Sequence, residues 1–244
     1  MRALTDAELL SVWERGLGQP AVQQALYLLA AVSPETPPDD WALLSIGRRD
    51  AFLLALRERT FGSRIVSLAT CPACDEQAEI AFEVAQVLAE PPSTPPSTLT
   101  LHASGCHVQF RLPNSLDVAA IGNAESIDAA RAALLARCLL SAERGGERVA
   151  AEQLPAEIAS EVAARMSAAD PQADVRLVCT CPACGHSWQA AFDVVSFFWT
   201  EICAWANRTL REIHWLASAY GWRETDILAL SPMRRRLYLE MVGA

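Results

Sequence analysis

Two short cysteine motifs, Cys71-Pro72-Ala73-Cys74 and Cys181-Pro182-Ala183-Cys184, contain the side chains of this chain best suited to chemistry. Each motif offers two thiols at Cys-x-x-Cys spacing, and a tetrahedral zinc ion needs four such ligands. The match continues beyond the motifs at a constant offset of 110 residues, which aligns Phe82 with Phe192. We therefore predict one structural Zn²⁺ site. Its four ligands are Cys71, Cys74, Cys181 and Cys184.

A dithiol oxidoreductase is the alternative chemistry for such motifs, and it would place each one at the start of a helix. The residues after the first motif alternate instead, with Ile80 and Phe82 on one side and Glu79 and Glu83 on the other. This period of two predicts strands, so each motif should form the tip of a β-hairpin. Two such hairpins that share one metal form a zinc ribbon. Because four thiolates close the coordination sphere, we expect a structural metal and no enzymatic activity.

The other cysteines and the histidines are weaker candidates for ligands. Cys179 precedes the second motif by two residues and could approach the metal, and His186 follows the motif. Since the two motifs already supply four thiols, we expect neither to bind it. His214 is predicted to be structural, and the remaining cysteines are predicted to be small buried apolar residues. These are Cys106, Cys138 and Cys203.

Composition limits the class of function. With 244 residues and 52% hydrophobic content, the chain can bury a sizeable core. The net charge of −9 disfavours a nucleic-acid partner, which normally meets a basic surface. All basic residues are arginines, which excludes chemistry that depends on lysine. The sequence shows neither a signal-peptide pattern nor an apolar run long enough for a membrane span, so we expect folding in the bacterial cytoplasm.

The pattern along the chain predicts a mainly helical α+β fold. We assign helices to residues 1–62, the ribbon halves to 63–88 and 174–194, a linker and inserted α+β subdomain to 89–173, and helices to 195–244. Proline and serine mark the linker at 89–98. Within the insertion we predict a hairpin that turns at Ser104-Gly105, a helix over 126–141 with Ile127 on its apolar side, a charged loop over 143–147 and a helix over 155–168.

The C-terminal helices are rich in aromatic side chains, which either fill a core or bind a partner. Trp215 lies off the main apolar stripe, and tryptophan is common at the centre of interfaces. The run of arginines from 234 to 236 is predicted to face solvent or an acidic partner. The predicted partner-binding residues are Trp199, Trp215, Trp222, Arg234 and Arg235.

The sequence also resembles the baseplate proteins of contractile-tailed phages related to the T-even hub-assembly protein, which have relatives in gene clusters for contractile injection systems. The resemblance covers most of 8–84 and 174–242. It is carried by Leu44-Ser45-Ile46-Gly47-Arg48-Arg49-Asp50, Thr60-Phe61-Gly62, both cysteine motifs, Tyr220-Gly221-Trp222 and Leu230-Ser231-Pro232. Across the insertion it rests on Arg111-Leu112-Pro113 and Asp170-Pro171-Gln172. One departure is Asp75, which stands where a glycine often follows the second cysteine of such a turn.

The resemblance implies an interaction protein without catalysis, either an assembly chaperone or a retained component of the particle. We therefore predict a protein with structural zinc that binds neighbouring baseplate or hub subunits of a phage tail or injection system. The alternatives are a zinc-ribbon module that binds nucleic acid and a dithiol redox protein. The sequence assigns neither the contacted subunit nor the stoichiometry.

Overall fold

A computed structural model describes residues 2–88 and 97–243. Helix accounts for 56% and strand for 19%, which confirms the mainly helical α+β class. Most of the predicted linker lies outside the described residues. The chain divides into two units, Met1–Pro34 with Val195–Ala244, and Glu35–Val194. The finer division into helical segments, ribbon halves and an inserted subdomain stays a prediction.

The N-terminal helices begin and end where the sequence signals indicate. Thr5 and Glu8 form a capping box, in which the Thr5 hydroxyl accepts from the Glu8 amide and the Glu8 carboxylate accepts from the Thr5 amide. The Ser45 hydroxyl accepts from the Arg48 amide at the start of the fourth helix, which ends at Gly62. The helices are α1 (Asp6–Gly16), α2 (Ala21–Val32), α3 (Pro38–Leu43) and α4 (Ile46–Phe61).

Three antiparallel sheets follow, all within Glu35–Val194. Two are two-stranded hairpins, β1–β2 and β7–β8, and the third is a four-stranded meander in the order β3-β4-β5-β6. The strands are β1 (Arg64–Thr70), β2 (Gln77–Glu83), β3 (Leu99–Ala103), β4 (Cys106–Phe110), β5 (Leu139–Arg144), β6 (Glu147–Arg148), β7 (Arg176–Thr180) and β8 (Ser187–Ala191). The helices of this part are α5 (Val84–Val87), α6 (Ser115–Ile121), α7 (Ile127–Cys138) and α8 (Ala156–Ala169).

The structure of the insertion shows that three predictions are wrong. The helix predicted over 126–141 ends at Cys138, because the next residues pair with β4 as strand β5. The charged loop predicted over 143–147 is part of the β5–β6 hairpin, whose turn is made by two glycines with positive φ. Ile127, predicted on an apolar face, is 72% exposed. Helix α6 was not predicted, although Asn114 caps it with a hydrogen-bonded side chain.

The core of the insertion lies on one face of the meander. Leu101, Val108 and Phe110 are at most 1% exposed and pack in one apolar cluster with Ile158 and Val162 of α8. The alternating apolar residues of β3 and β4 therefore face α8, as the hairpin pattern predicted, and the residues between them lie on the opposite face. That opposite face is polar.

The start of α4 binds two segments of the insertion, one that follows β4 and one at the end of the insertion. The Ile46 amide donates to the Pro113 carbonyl (3.1 Å), and the Gly47 amide donates to the Asp170 carboxylate (2.8 Å). A Cβ atom at Gly47 would overlap that carboxylate, so only glycine permits this approach. The three motifs that carry the family resemblance around the insertion thus meet at one place.

A buried ion pair lies beside this junction. The Arg49 guanidinium donates to the Asp50 carboxylate (2.8 Å) and to the Ser115 hydroxyl (3.3 Å). Burial raises the pKa of Asp50 to about 6, and the nearby Arg49 only partly offsets that effect. Asp50 therefore gains a proton on folding when the pH lies between its unfolded and folded pKa values.

The other unit is helical. It contains α9 (Val194–Tyr220, whose first residue belongs to the preceding unit), α10 (Glu224–Leu228) and α11 (Pro232–Met241), together with α1 and α2. The predicted apolar stripe of α9 is buried at Phe198, Ile202, Trp205 and Thr209. No helix in the described part of the chain is both long and apolar enough to span a bilayer.

Candidate metal centre

Both cysteine motifs lie at the tips of the hairpins predicted for them, β1–β2 and β7–β8. In the first turn the Cys71 amide donates to the Glu76 carbonyl (2.9 Å), and the Asp75 amide donates to the Cys71 carbonyl (3.0 Å). The second turn repeats both bonds. They run from the Cys181 amide to the His186 carbonyl (2.9 Å) and from the Gly185 amide to the Cys181 carbonyl (3.0 Å). Two turns with matching sequences therefore adopt the same backbone.

The residue after each second cysteine has a left-handed backbone. Gly185 has a φ of 72° and Asp75 a φ of 58°. Glycine adopts this region freely, whereas an L-residue with a Cβ is strained there, and Asp is among those that tolerate it best. The first turn thus has the same shape as the second in spite of the departure at Asp75.

The four sulfur atoms converge. The Sγ atoms of Cys71 and Cys184 lie 3.7 Å apart and those of Cys74 and Cys181 lie 3.6 Å apart. All four lie within 4.8 Å of one another. A tetrahedral ion with Zn–S bonds of about 2.3 Å would set its ligands about 3.8 Å apart, so the cluster has the dimensions of a zinc site.

The proton affinities within the cluster are uneven. Backbone N–H groups, first that of Cys184 and then that of Ala183, lower the pKa of Cys181 to about 7 in spite of its burial. For Cys74 the amide of Glu76 acts in the same direction, but hydrogen bonds with the sulfurs of Cys184 and Cys181 outweigh it and raise the pKa to about 12. Crowded thiols cannot all ionise together, and a cation among them would replace their protons.

The hairpins also contact each other through an aromatic pair that lies away from the cysteine turns. Phe82 and Phe192, the residues matched at the 110-residue offset, pack edge to face with ring centroids 5.2 Å apart. Ile65 and Ala78 are buried on the same inner side of the first hairpin. The two hairpins therefore contact each other away from their cysteine turns as well as at the turns.

The weaker ligand candidates lie outside the cluster. The Cys179 thiol donates to the Leu177 carbonyl (3.4 Å), and His186 is exposed and stacks beside Trp188. Cys106 and Cys138 are buried, as predicted, whereas Cys203, predicted to be buried with them, is half-buried on α9.

The predicted partner-binding residues differ in exposure. Trp215 is 44% exposed and Arg234 is exposed. Trp199 and Trp222 are half-buried inside their own unit, where Trp199 covers Gly16 and Trp222 stacks on Tyr220 with centroids 4.6 Å apart.

Arg235 departs from the prediction that it faces solvent. It is 5% exposed and pairs with the carboxylates of Asp6 (2.7 Å) and Glu212 (2.9 Å), because the helix turns this one arginine of the run toward α1 and α9.

Sequence reasoning missed an exposed apolar stripe on α11. Met233, Leu237 and Met241 recur at every fourth residue and are 76%, 46% and 72% exposed. Residues four apart share one face of a helix, so the spacing was a usable signal. The exposed Arg234, Arg236 and Glu240 flank this stripe, so its border is mainly positive.

A family model described as T4 bacteriophage base plate protein matches residues 21–199, well over half of the chain. The chain belongs to this family. All four clustered cysteines lie inside the matched span, whereas α10 and α11 follow it. Membership in the baseplate family supports a structural role in a phage baseplate and confirms the resemblance. Neither the curated proteins nor the solved structures contain a significant match to the chain.

Proposed function

We propose that this member of the baseplate family is a non-catalytic structural or assembly protein of a contractile phage tail or a phage-tail-like injection system. In this proposal one Zn²⁺ binds Cys71, Cys74, Cys181 and Cys184 and joins the two hairpins, and other helices bind neighbouring subunits. The observation that carries the metal proposal is the convergence of four Sγ atoms within 4.8 Å.

The chemistry of the donor set supports zinc over the alternatives. Four thiolates favour a soft or borderline cation and leave no coordination position for substrate or water. The motifs lie at hairpin tips, whereas a thioredoxin-like dithiol begins a helix. Exposed Asp75 and Glu76 make the tip of the first hairpin acidic, which gives a nucleic-acid-binding ribbon no support.

Native mass spectrometry of the purified chain tests the metal. We expect one zinc per chain, and none in the Cys74→Ser/Cys184→Ser variant. A metal-free native chain, or a variant that keeps its zinc, would refute the assignment.

For the partner surface we propose the exposed apolar stripe of α11 together with Trp215. The partner is another baseplate subunit that presents apolar side chains bordered by acidic ones. The stripe supports this choice because Arg234 and Arg236, exposed at its sides, would meet opposite charge there, and because a baseplate is built from many contacting subunits.

A charged substitution in the stripe tests this surface. In cells that make the particle, Leu237→Glu should reduce recovery of the chain with other baseplate proteins, and Trp215→Ala should have a smaller effect in the same direction. The control is Leu17→Glu, which changes a comparably exposed leucine of the same unit that lies outside the stripe. Equal recovery of Leu237→Glu and its control, with both folded, would refute the surface.

Assembly would take place in the bacterial cytoplasm, after which the protein either stays in the particle or leaves it. Mass spectrometry of purified particles separates the two roles. Detection at a fixed copy number establishes a retained component, and absence from complete particles establishes an assembly chaperone.

A further inference from the structure

The β3–β4 hairpin carries two histidines that face each other. His102 and His107 are opposite residues, and their imidazole rings stack with centroids 4.3 Å apart and planes 9° apart. The turn between the strands consists of Ser104 and Gly105, both with positive φ, as in a two-residue type I′ turn. In such a hairpin the pair next to the turn is hydrogen-bonded and the following pair is not. His102 and His107 therefore occupy a position where opposite side chains come closest.

A carboxylate continues this row on the neighbouring strand. β5 places Glu143 directly opposite His107, so all three side chains lie on one face of the sheet. The next pair along the hairpin, Leu101 and Val108, is buried on the opposite face of the sheet and belongs to the core. His102, His107 and Glu143 thus point away from the core, and they line an open depression with a volume of about 390 Å³.

Two imidazoles and one carboxylate form a different donor set from four thiolates. Nitrogen and oxygen donors of this kind suit Zn²⁺, Ni²⁺ and Cu²⁺, and three protein ligands leave a coordination position for water. A row of opposite residues across three strands holds the backbone of these ligands at fixed spacing. The exposed Arg148 of β6 lies opposite Glu143 and continues the row, so a bound ion would have to displace this cation from the carboxylate. Among the described residues, only the four cysteines already bring three or more donor atoms together, so the side chains of this row would have to rotate to direct their donor atoms at one ion.

We propose that His102, His107 and Glu143 form a second metal site, which binds a divalent transition-metal ion independently of the cysteine centre. The stacked rings could instead serve only to stabilise the hairpin, as aromatic cross-strand pairs do. Substitution distinguishes hairpin stabilisation from metal binding, because stacking needs only a flat ring whereas metal binding needs an imidazole nitrogen.

The test is a calorimetric titration of Ni²⁺ into the full chain after its cysteine centre has been loaded with zinc. We expect one additional equivalent of Ni²⁺ to bind. His107→Phe keeps a ring for stacking but lacks the ligand, and it should abolish this binding while thermal unfolding shows a folded chain. Glu143→Gln replaces the carboxylate ligand with a neutral amide and should weaken the binding by roughly tenfold or more, since loss of even an outer-shell partner costs about tenfold.

The chain offers a matched control because it contains only four histidines. His186→Ala/His214→Ala removes the two that lie outside the row and should leave the additional equivalent intact. Three results would overturn the proposal. They are no Ni²⁺ binding by the native chain, undiminished binding by folded His107→Phe, and loss of binding in the control.

Discussion

The two units of this protein each close over a long stretch of sequence, but by different chemistry. In Glu35–Val194 the Sγ atoms of Cys71 and Cys184 meet across 113 residues, at the tips of two hairpins. In the helical unit Arg235 meets Asp6 across 229 residues and also binds Glu212. One closure uses four converging thiols, and the other uses a buried cation between two carboxylates.

The two kinds of closure should be lost under different conditions. Metal ligation by four thiolates requires all four ligands, so closure is lost in one step when any ligand or the ion is removed. Removal of one partner from a buried ion pair leaves the other charge unpaired and destabilises the unit, but the surrounding apolar packing stays in place. Chelators should therefore destabilise the unit that carries the cysteines and leave the helical unit unchanged.

The largest effect is expected from the cysteine ligands. Cys74→Ser and Cys184→Ser should each lose the metal and lower the free energy of unfolding by more than about 4 kcal/mol, or roughly 10 °C in Tm, because zinc binding and folding are coupled. Differential scanning calorimetry with metal analysis measures both. Cys203→Ser, at a half-buried cysteine on α9, is the control and should keep its zinc. Similar Tm values for all three variants would contradict the coupling.

The helical closure should be weaker and insensitive to chelators. Arg235→Met should lower the free energy of unfolding by about 2–3 kcal/mol, because it leaves Asp6 and Glu212 partly buried without their cation. Arg236→Met, an exposed neighbour, should change it by less than about 0.5 kcal/mol. Urea unfolding of both variants with and without a chelator checks this. The interpretation fails if the two arginines prove equivalent.

Asp50 tests how the unit that contains the cysteine cluster tolerates a buried charge. Its pKa is raised from 3.8 to about 6, mainly by burial, so the folded state holds the proton more tightly. Its contribution is therefore most favourable below the unfolded pKa, and it falls by up to about 1.4 kcal/mol per pH unit as the pH rises from about 4 to 6. Asp50→Asn removes this proton uptake. The stability of the variant relative to the native chain should therefore increase with pH across that window.

Urea midpoints at several pH values measure this difference. Asp128→Asn, at a carboxylate whose side chain is 95% exposed, is the control and should show no trend. A flat difference for Asp50→Asn would mean that the carboxylate titrates as it does in the unfolded chain.

The smallest effect compares the two cysteine turns. At Gly185 no atom lies within 4 Å of the position that a Cβ would occupy, so Gly185→Asp should be disfavoured only by its left-handed backbone, by about 0.5–1 kcal/mol. Asp75→Gly should stabilise the chain by a similar amount. Metal affinity, measured by competition with a chromogenic chelator, should fall in Gly185→Asp and rise in Asp75→Gly. Shifts of the same sign would show that the turns are not equivalent.

Local signals were sufficient where one stretch of chain decides its own structure. The capping residues Thr5 and Ser45 and the alternation after Cys74 depend on near neighbours, and the helices and hairpins they predict are present. The four-cysteine set followed from spacing and the internal match. The signals failed at residues 139–144, because their pairing with β4 outweighs a sequence that could extend α7.

Residue types at short spacing are enough to specify the thiol groups, their hairpin turns and the family resemblance. Long-range packing, in contrast, turns Arg235 inward while Arg234 stays exposed, brings Asp170 to Gly47 across 123 residues, and sets His102 and His107 in one row with Glu143. These contacts join segments whose approach depends on the packing of the chain between them, and no local pattern encodes that packing.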